Sequence, residues 1–284
     1  MTRALIVGCG YLGREVASRL FVQGWDVTAW TQSAASAAVE GQKGFRVSAV
    51  DVTDLDWVRK TGDREGALDW IIFCASTRGG DAERYRNVYL HGAANLIRGL
   101  CFGRILFTSS TSVFGQTDGS NITEEMPVSP ATETAEVLAE TERLILSRNG
   151  VVARLGGIYS AERCALLRQF QAGQITSTDD RWLNTIHRDD AVSAISTILD
   201  SVRGQDIFHV TDNGNVTHRQ AVEFLQNQTN IASLPFPPEE KKLHAPPNRR
   251  RGRTNKRVSN AKLRSLGWQS KFPTFLDGLK SLLT

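Results

Sequence analysis

The residues whose types and spacing most clearly specify chemistry lie at the start of the chain. Gly8-Cys9-Gly10-Tyr11-Leu12-Gly13 is a G-x-G-x-x-G run. In such a run the first glycine permits a tight turn, the second lets a pyrophosphate approach the backbone, and the third lets helix pack on strand. The helix N-terminus then adds N–H donors and positive potential. Here the run follows a short apolar stretch, residues 3–8, and opens one with Leu12, Val16, Leu20 and Phe21 at helical intervals. Strand, turn and helix therefore come in the order that dinucleotide binding requires. At the end of the next strand, where an NAD site usually places a carboxylate for the ribose 2′-hydroxyl, the chain reads Trp30-Thr31-Gln32-Ser33. With no carboxylate there, Arg14, Thr31 and Ser33 could receive a 2′-phosphate, which favours NADP over NAD. The competing reading is an Arg14 solvated on its helix.

Further along, Ser109-Ser110-Thr111-Ser112 gathers hydroxyls at the end of an apolar run. At a strand's C-terminal end such a cluster opens into the crevice where parallel sheets bind ligands, or it satisfies turn backbone. Arg154 closes another apolar run and either reaches across that crevice or pairs with a core carboxylate. His187 precedes Arg188-Asp189-Asp190, which starts a helix where carboxylates complement the macrodipole; the histidine is an acid/base candidate or a cap. Arg249, Arg250 and Arg251 could grip phosphate oxygens bidentately or simply be solvated. No metal is expected, because no further ligands stand in register with Asp189 and Asp190.

The elements that must position these residues alternate. Strands are expected at Trp25–Trp30, Phe45–Val50, Leu68–Cys74, 104–109 and 151–155, and helices at 54–61, 82–102 and 131–149. Continuous apolarity in the strands is what a parallel sheet covered on both faces requires. The fold class is therefore α/β, a Rossmann-type doubly wound parallel sheet with right-handed crossovers. Beyond Gly156 the pattern loosens, with a helix near 162–173, a strand over Trp182–Ile186, a helix near 188–202 and a strand over Ile207–Val210. Helices near 217–229, 259–266 and 273–283 follow. Residues 1–155, completed by about 187–212, read as the NAD(P)-binding domain. Residues 156–186 and 213–284 read as a smaller, interwoven cap region for substrate, with the proline-rich stretch Pro235–Arg257 as a surface loop.

Composition bounds the partners. A chain of 284 residues buries roughly 70–75% of its unfolded surface and needs neither disulfide nor metal to hold a core. At 40% hydrophobic and 23% charged it is neither disordered nor fibrous. No apolar run approaches the roughly 18–20 residues that span a bilayer, and glycines interrupt the first apolar stretch before a signal-peptide core forms. The four cysteines lack C-x-x-C pairing, so free thiols in the cytoplasm are expected. The net charge of +4 is local: residues 241–257 hold eight Lys/Arg and no acid, and without them 26 basic residues face 30 acidic. One basic run without interleaved aromatics does not predict nucleic-acid binding.

Five motifs together carry a resemblance over nearly the whole chain. They are Asp51-Val52, Cys74-Ala75-Ser76, Phe107 to Gly115 (Phe-Thr-Ser-Ser-Thr-Ser-Val-Phe-Gly), Arg154 to Tyr159 (Arg-Leu-Gly-Gly-Ile-Tyr), and Ile186 to Asp190 (Ile-His-Arg-Asp-Asp). The chain resembles the extended short-chain dehydrogenase/reductase superfamily, the NAD-dependent epimerase/dehydratase group, and in Ser109–Gly115 with Pro127–Pro130 it is similar to the atypical, YeeZ-like branch. The resemblance implies that Gly8 to Gly13 meets pyrophosphate, Asp51 and Val52 the adenine, and Cys74, Ala75 and Ser76 the ribose and nicotinamide side. It also puts Ser110 where the family's catalytic Ser/Thr bonds a substrate oxygen, with Ser112 in the same cluster.

The chain departs from that family in one place. Family members that oxidise or reduce alcohols carry Tyr-x-x-x-Lys on the following helix, the lysine lowering the tyrosine pKa for proton exchange. This chain has no lysine between Lys60 and Lys241 and no tyrosine between Tyr89 and Tyr159. A substitute acid/base (Glu136, Glu140 or His187), a proton path through Ser110 or water, and a non-catalytic nucleotide sensor all remain open. The expectation is an NAD(P)-dependent oxidoreductase or epimerase acting on an anionic, possibly nucleotide-linked small molecule, as a monomer or homodimer.

Overall fold

The computed structural model describes residues 1–41, 44–77, 79–175, 178–214, 216–229 and 254–283. Seven parallel strands form the central sheet: β1 (Arg3–Val7), β2 (Asp26–Thr31), β3 (Arg46–Ala49), β4 (Leu68–Phe73), β5 (Phe102–Ser110), β7 (Val151–Leu155) and β10 (Asp206–Val210). Their order is β10-β7-β5-β4-β1-β2-β3. The chain winds outward from β1 through β2 to β3, then crosses to β4 on β1's other side. Ligands of such sheets bind outside the carboxyl ends at this reversal, where the loops after β1 and β4 face one another.

Alternation along the strands divides the core into two layers. In β1, Ala4 and Ile6 join the cluster that includes Val16 and Leu20 of α1 (Gly13–Val22) and Ile195 and Ile198 of α8 (Arg188–Ser201). Leu5 and Val7 join the opposite cluster, with Val58 of α3 (Leu55–Glu65), Leu96 of α5 (Gly92–Gly99) and Leu138 of α6 (Glu133–Leu146). Helices on both faces demand apolar residues at successive positions, and β7 accordingly buries all five of its residues. Caps fix the helix starts. Asp54 accepts from the Trp57 amide at 3.0 Å and Thr132 from that of Ala135 at 3.2 Å.

The segment expected as one helix over 82–102 is three pieces. Between α4 (Ala82–Tyr85) and α5 lies a π-helical turn, Arg86–His91. It buries Tyr89 against Tyr85 and Phe107, with ring centroids 5.1 and 6.0 Å away. The strand expected over Trp182–Ile186 is instead β9 (Thr185–His187), paired with β8 (Gly157–Tyr159). Another short pair, β6 (Ser120–Ile122) with β11 (Lys256–Val258), ties the C-terminal stretch to the loop after β5. The helix α2 (Ala34–Glu40) follows β2. A third apolar cluster packs α7 (Ala165–Gln171), α9 (His218–Thr229) and α11 (Phe275–Leu283) through Phe170, Leu225 and Leu279. A last short helix, α10 (Ala261–Ser265), seats Leu263 on the α1/α8 layer.

Candidate active site

The glycine loop is built by three different constraints. Gly8 has φ +95°, and a Cβ there would lie 2.4 Å from the Ala75 backbone. A Cβ on Gly13 would lie 2.2 Å from the Gly8 carbonyl oxygen. Both contacts are far inside van der Waals distance, so only glycine lets the turn, the helix and the β4 loop close together. A Cβ on Gly10 would meet nothing within 4 Å. The loop itself is rigid, since the Gly8 and Cys9 amides both donate to the Trp30 carbonyl at 2.9 Å and the Gly10 amide donates to the Gly8 carbonyl at 2.8 Å. Leu12, at the N-cap of α1, provides no side-chain acceptor, and the Arg14 and Glu15 amides donate to the Gly10 and Leu12 carbonyls at 2.9 and 3.0 Å. The open space beside Gly10, at the positive end of α1, suits a diphosphate.

The surrounding positions expected to meet the rest of a dinucleotide are held by their own hydrogen bonds. The Asp51 carboxylate accepts from the Thr53 amide and hydroxyl at 2.9 and 2.8 Å, and the buried Asn95 amide holds the Val52 carbonyl at 2.9 Å. The Cys74 amide donates to the Val7 carbonyl at 2.7 Å, bringing Cys74, Ala75 and Ser76 against the glycine loop. Burial pushes the Cys74 thiol up to about 12, so it is an inert, protonated thiol. Ser33 caps α2 by accepting from the Ser36 amide at 3.2 Å, the Thr31 hydroxyl donates to the Ser33 carbonyl at 3.0 Å, and Gln32 is exposed. Arg14 is half-buried and engaged: its guanidinium contacts Glu15 at 3.0 Å and Glu40 at 3.4 Å.

At the end of β5 the hydroxyls separate into two roles. Ser109 points inward and donates to Glu142 at 2.6 Å. Ser110 accepts from the Ser112 amide at 3.1 Å, capping the one-turn 3₁₀ helix Thr111–Val113, while Ser112 itself is exposed. A hydroxyl that accepts from an amide still has its proton to donate, so the cap leaves Ser110 able to serve an oxygen in the crevice. The next residues are fastened from behind. Lys256, 3% exposed, donates its Nζ to the Phe114 carbonyl at 2.6 Å, and burial lowers that ammonium to about 8.

Several expected site residues make contacts of their own within the fold. Arg154 does not reach into the crevice. It is 3% exposed, its Nε and Nη2 bond the Glu142 carboxylate at 3.1 and 2.7 Å, and its guanidinium lies 4.9 Å from the centre of the Phe114 ring. A buried guanidinium requires such a partner. His187 caps the start of α8: its Nδ1 accepts from the Asp189 amide at 3.2 Å, and its ring packs against Tyr159 and Phe272. Burial lowers its pKa, keeping the imidazole neutral. Asp190 accepts from the Lys271 and Phe272 amides at 2.7 and 2.9 Å, fastening the C-terminal stretch to α8. Glu136 is exposed in the first turn of α6, where it complements the helix dipole, and Glu140 pairs with Arg86 at 2.6 Å. Arg249, Arg250 and Arg251 lie outside the described residues.

Tyr89 carries no motif in the sequence, and the expected coenzyme residue Tyr11 has neighbours that the glycine motif does not contain. The Tyr89 hydroxyl accepts from the Thr77 amide at 3.4 Å beside the β4 loop, and burial raises its phenol pKa. The Tyr11 ring is flanked by Arg163 and Arg188, their guanidinium carbons 5.0 and 5.6 Å from its centre. Neither pattern has a spacing signal, because each partner comes from a distant element. Among the described residues no helix is long and apolar enough to cross a membrane.

Comparison with known proteins fits this geometry. Residues 4–211 match the model of the NAD dependent epimerase/dehydratase family. The chain is 28% identical to the Protein YeeZ of Escherichia coli K12 over 223 residues, 74% of this chain and 77% of that one. It is similar in structure to a Methylobacillus flagellatus protein provisionally identified as an NAD-dependent epimerase/dehydratase, with TM-score 0.79, 26% identity and coverage of 99% and 97%. It shares its fold with the Bordetella bronchiseptica enzyme WbmG in complex with NAD and UDP, at TM-score 0.80, 18% identity and coverage of 99% and 92%. With the family model spanning both the glycine loop and the strands that flank it, the chain belongs to the NAD dependent epimerase/dehydratase family.

Proposed function

We propose that the protein binds NAD across the carboxyl ends of β1, β4 and β5 and acts as an oxidoreductase or epimerase on a small anionic, nucleotide-linked molecule. The observation that carries this is the glycine loop, in which two positions tolerate no Cβ while Gly10 faces open space. When bound, the nicotinamide supplies reversible hydride transfer. The chain's own contribution is to fix the dinucleotide and to present the Ser110 hydroxyl, freed to donate, to a substrate oxygen. Residues 1–155 with 187–212 would carry the coenzyme, and 156–186 with 213–284 the substrate. The similarity in fold to WbmG with NAD and UDP supports a nucleotide-linked substrate. We assign the protein to the cytoplasm, where its free cysteines stay reduced.

The coenzyme preference follows from Arg14. The sequence alone favours NADP, but Glu15 and Glu40 neutralise this guanidinium, and a 2′-phosphate would have to displace a carboxylate to use it. That supports NAD. A second reading, a non-catalytic nucleotide-binding protein, is favoured by the start of α6, which presents Thr132, Glu133, Thr134 and Glu136 and no tyrosine or lysine. One experiment separates the two: incubation with NAD and a panel of nucleotide sugars, followed by nuclear magnetic resonance of the sugars. Conversion that Ser110→Ala abolishes supports the enzyme. Coenzyme binding without conversion supports the sensor.

A further inference from the structure

Tyr11 follows Gly10 directly within the glycine loop. Two cations reach it from elements outside the loop. Arg163 lies in the turn before α7, and Arg188 is the first residue of α8. They are not equivalent. Arg188 shares its charge with Glu162 at 3.0 Å and Asp189 at 3.2 Å. Arg163 is exposed and has no carboxylate partner among the described residues. Its backbone is nonetheless fixed, since Ser160 and Arg163 exchange amide-to-carbonyl hydrogen bonds at 3.2 and 3.0 Å. Glu162 is fixed as well, accepting from the Ser160 hydroxyl at 2.5 Å. A guanidinium over a half-buried tyrosine ring gains only a modest cation–π attraction. That contact leaves Arg163's donors in its fork unused.

A dinucleotide diphosphate carries two negative charges, and the glycine loop answers it with N–H dipoles but no full positive charge. We propose that Arg163, assisted by Arg188, clamps the coenzyme diphosphate from the Tyr11 side of the loop. The turn before α7 and the start of α8 then belong to the coenzyme site. This rests on the coenzyme reading above and adds residues that the glycine motif does not contain. A bidentate guanidinium suits phosphate oxygens in a way an ammonium does not, and stacking on Tyr11 preorganises the fork.

The test is calorimetric titration of NADH into the full chain and its Arg163→Ala, Arg163→Lys and Glu162→Gln variants at several salt concentrations. One charge-assisted contact corresponds to a loss of roughly 10- to 100-fold. Arg163→Ala should therefore weaken NADH by about that factor and flatten its salt dependence. Arg163→Lys should recover part of the affinity, and Glu162→Gln should tighten binding by leaving Arg188 less neutralised. Unchanged NADH affinity and salt dependence in Arg163→Ala would overturn the clamp while leaving the coenzyme site intact. Equal losses in the alanine and lysine variants with an unaltered salt dependence would overturn it too. No NADH binding by the unmodified chain would instead overturn the coenzyme reading beneath it.

Discussion

Glu142 on α6 and Arg154 on β7 form a buried ion pair, the carboxylate receiving Nη2 at 2.7 Å and the Ser109 hydroxyl at 2.6 Å. Three elements, α6, β7 and the end of β5, therefore meet at one carboxylate directly beneath the Ser110 turn. Removing Glu142 leaves a buried guanidinium unpaired. Glu142→Ala should cost about 3–5 kcal/mol, read as a lower urea midpoint. The double change Glu142→Leu with Arg154→Met should be far less damaging than either charge removed alone.

The two ends of the glycine loop should respond differently to one methyl group. Gly8→Ala places a Cβ 2.4 Å from the Ala75 backbone at φ +95° and should destabilise the fold by about 2–5 kcal/mol. Gly10→Ala meets no protein atom within 4 Å and should melt within about 1 kcal/mol of the parent. Its methyl group would occupy the space assigned to phosphate, so NADH affinity should fall at least about tenfold, or 1.4 kcal/mol. Melting curves paired with NADH titrations of both variants check this.

Coenzyme choice should be governed by Glu40. The parent should bind NADH more tightly than NADPH. Glu40→Gln releases one of the two carboxylates on Arg14, and NADPH affinity should rise by about tenfold, the low end for a charge-assisted hydrogen bond. Parallel fluorescence titrations with the two coenzymes measure the ratio.

Lys256 should leave a signature at alkaline pH. Burial lowers its ammonium from 10.5 to about 8, so between those values the unfolded chain holds a proton that the folded chain has released. Stability contributed by this group therefore rises with pH from about 8 to 10.5. The rise is on the order of 3 kcal/mol. Lys256→Met should remove it, seen as a parent-minus-variant stability difference that grows across this window. A difference independent of pH would show that the ammonium is not desolvated.

Where burial and type coincide, the sequence was sufficient. The apolar runs of β1 and β7 are strands because helices cover both faces, and Gly8 to Gly13 announces its turn by spacing alone. The pairing of β6 with β11 was not legible, since three-residue strands from distant parts of the chain carry no periodicity. Nor was the π-helical turn at Arg86–His91, whose residues suit an ordinary helix equally well. For Arg154 and His187 the residue type permitted both a crevice and a core role. Their partners, Glu142 for Arg154 and the Asp189 amide for His187, come from packing and carry no spacing signal. Lys256 was hidden within a basic run that reads as solvated, and only its burial on β11 separates it from its neighbours.

The most direct measurement is calorimetric titration of NADH, at concentrations up to millimolar, into the parent chain and Gly10→Ala side by side. If the glycine loop cradles a dinucleotide, the parent gives saturable heat at one site per chain, and the folded variant gives much weaker binding. A folded parent that shows no heat with NADH, NAD or NADPH would contradict the coenzyme site outright.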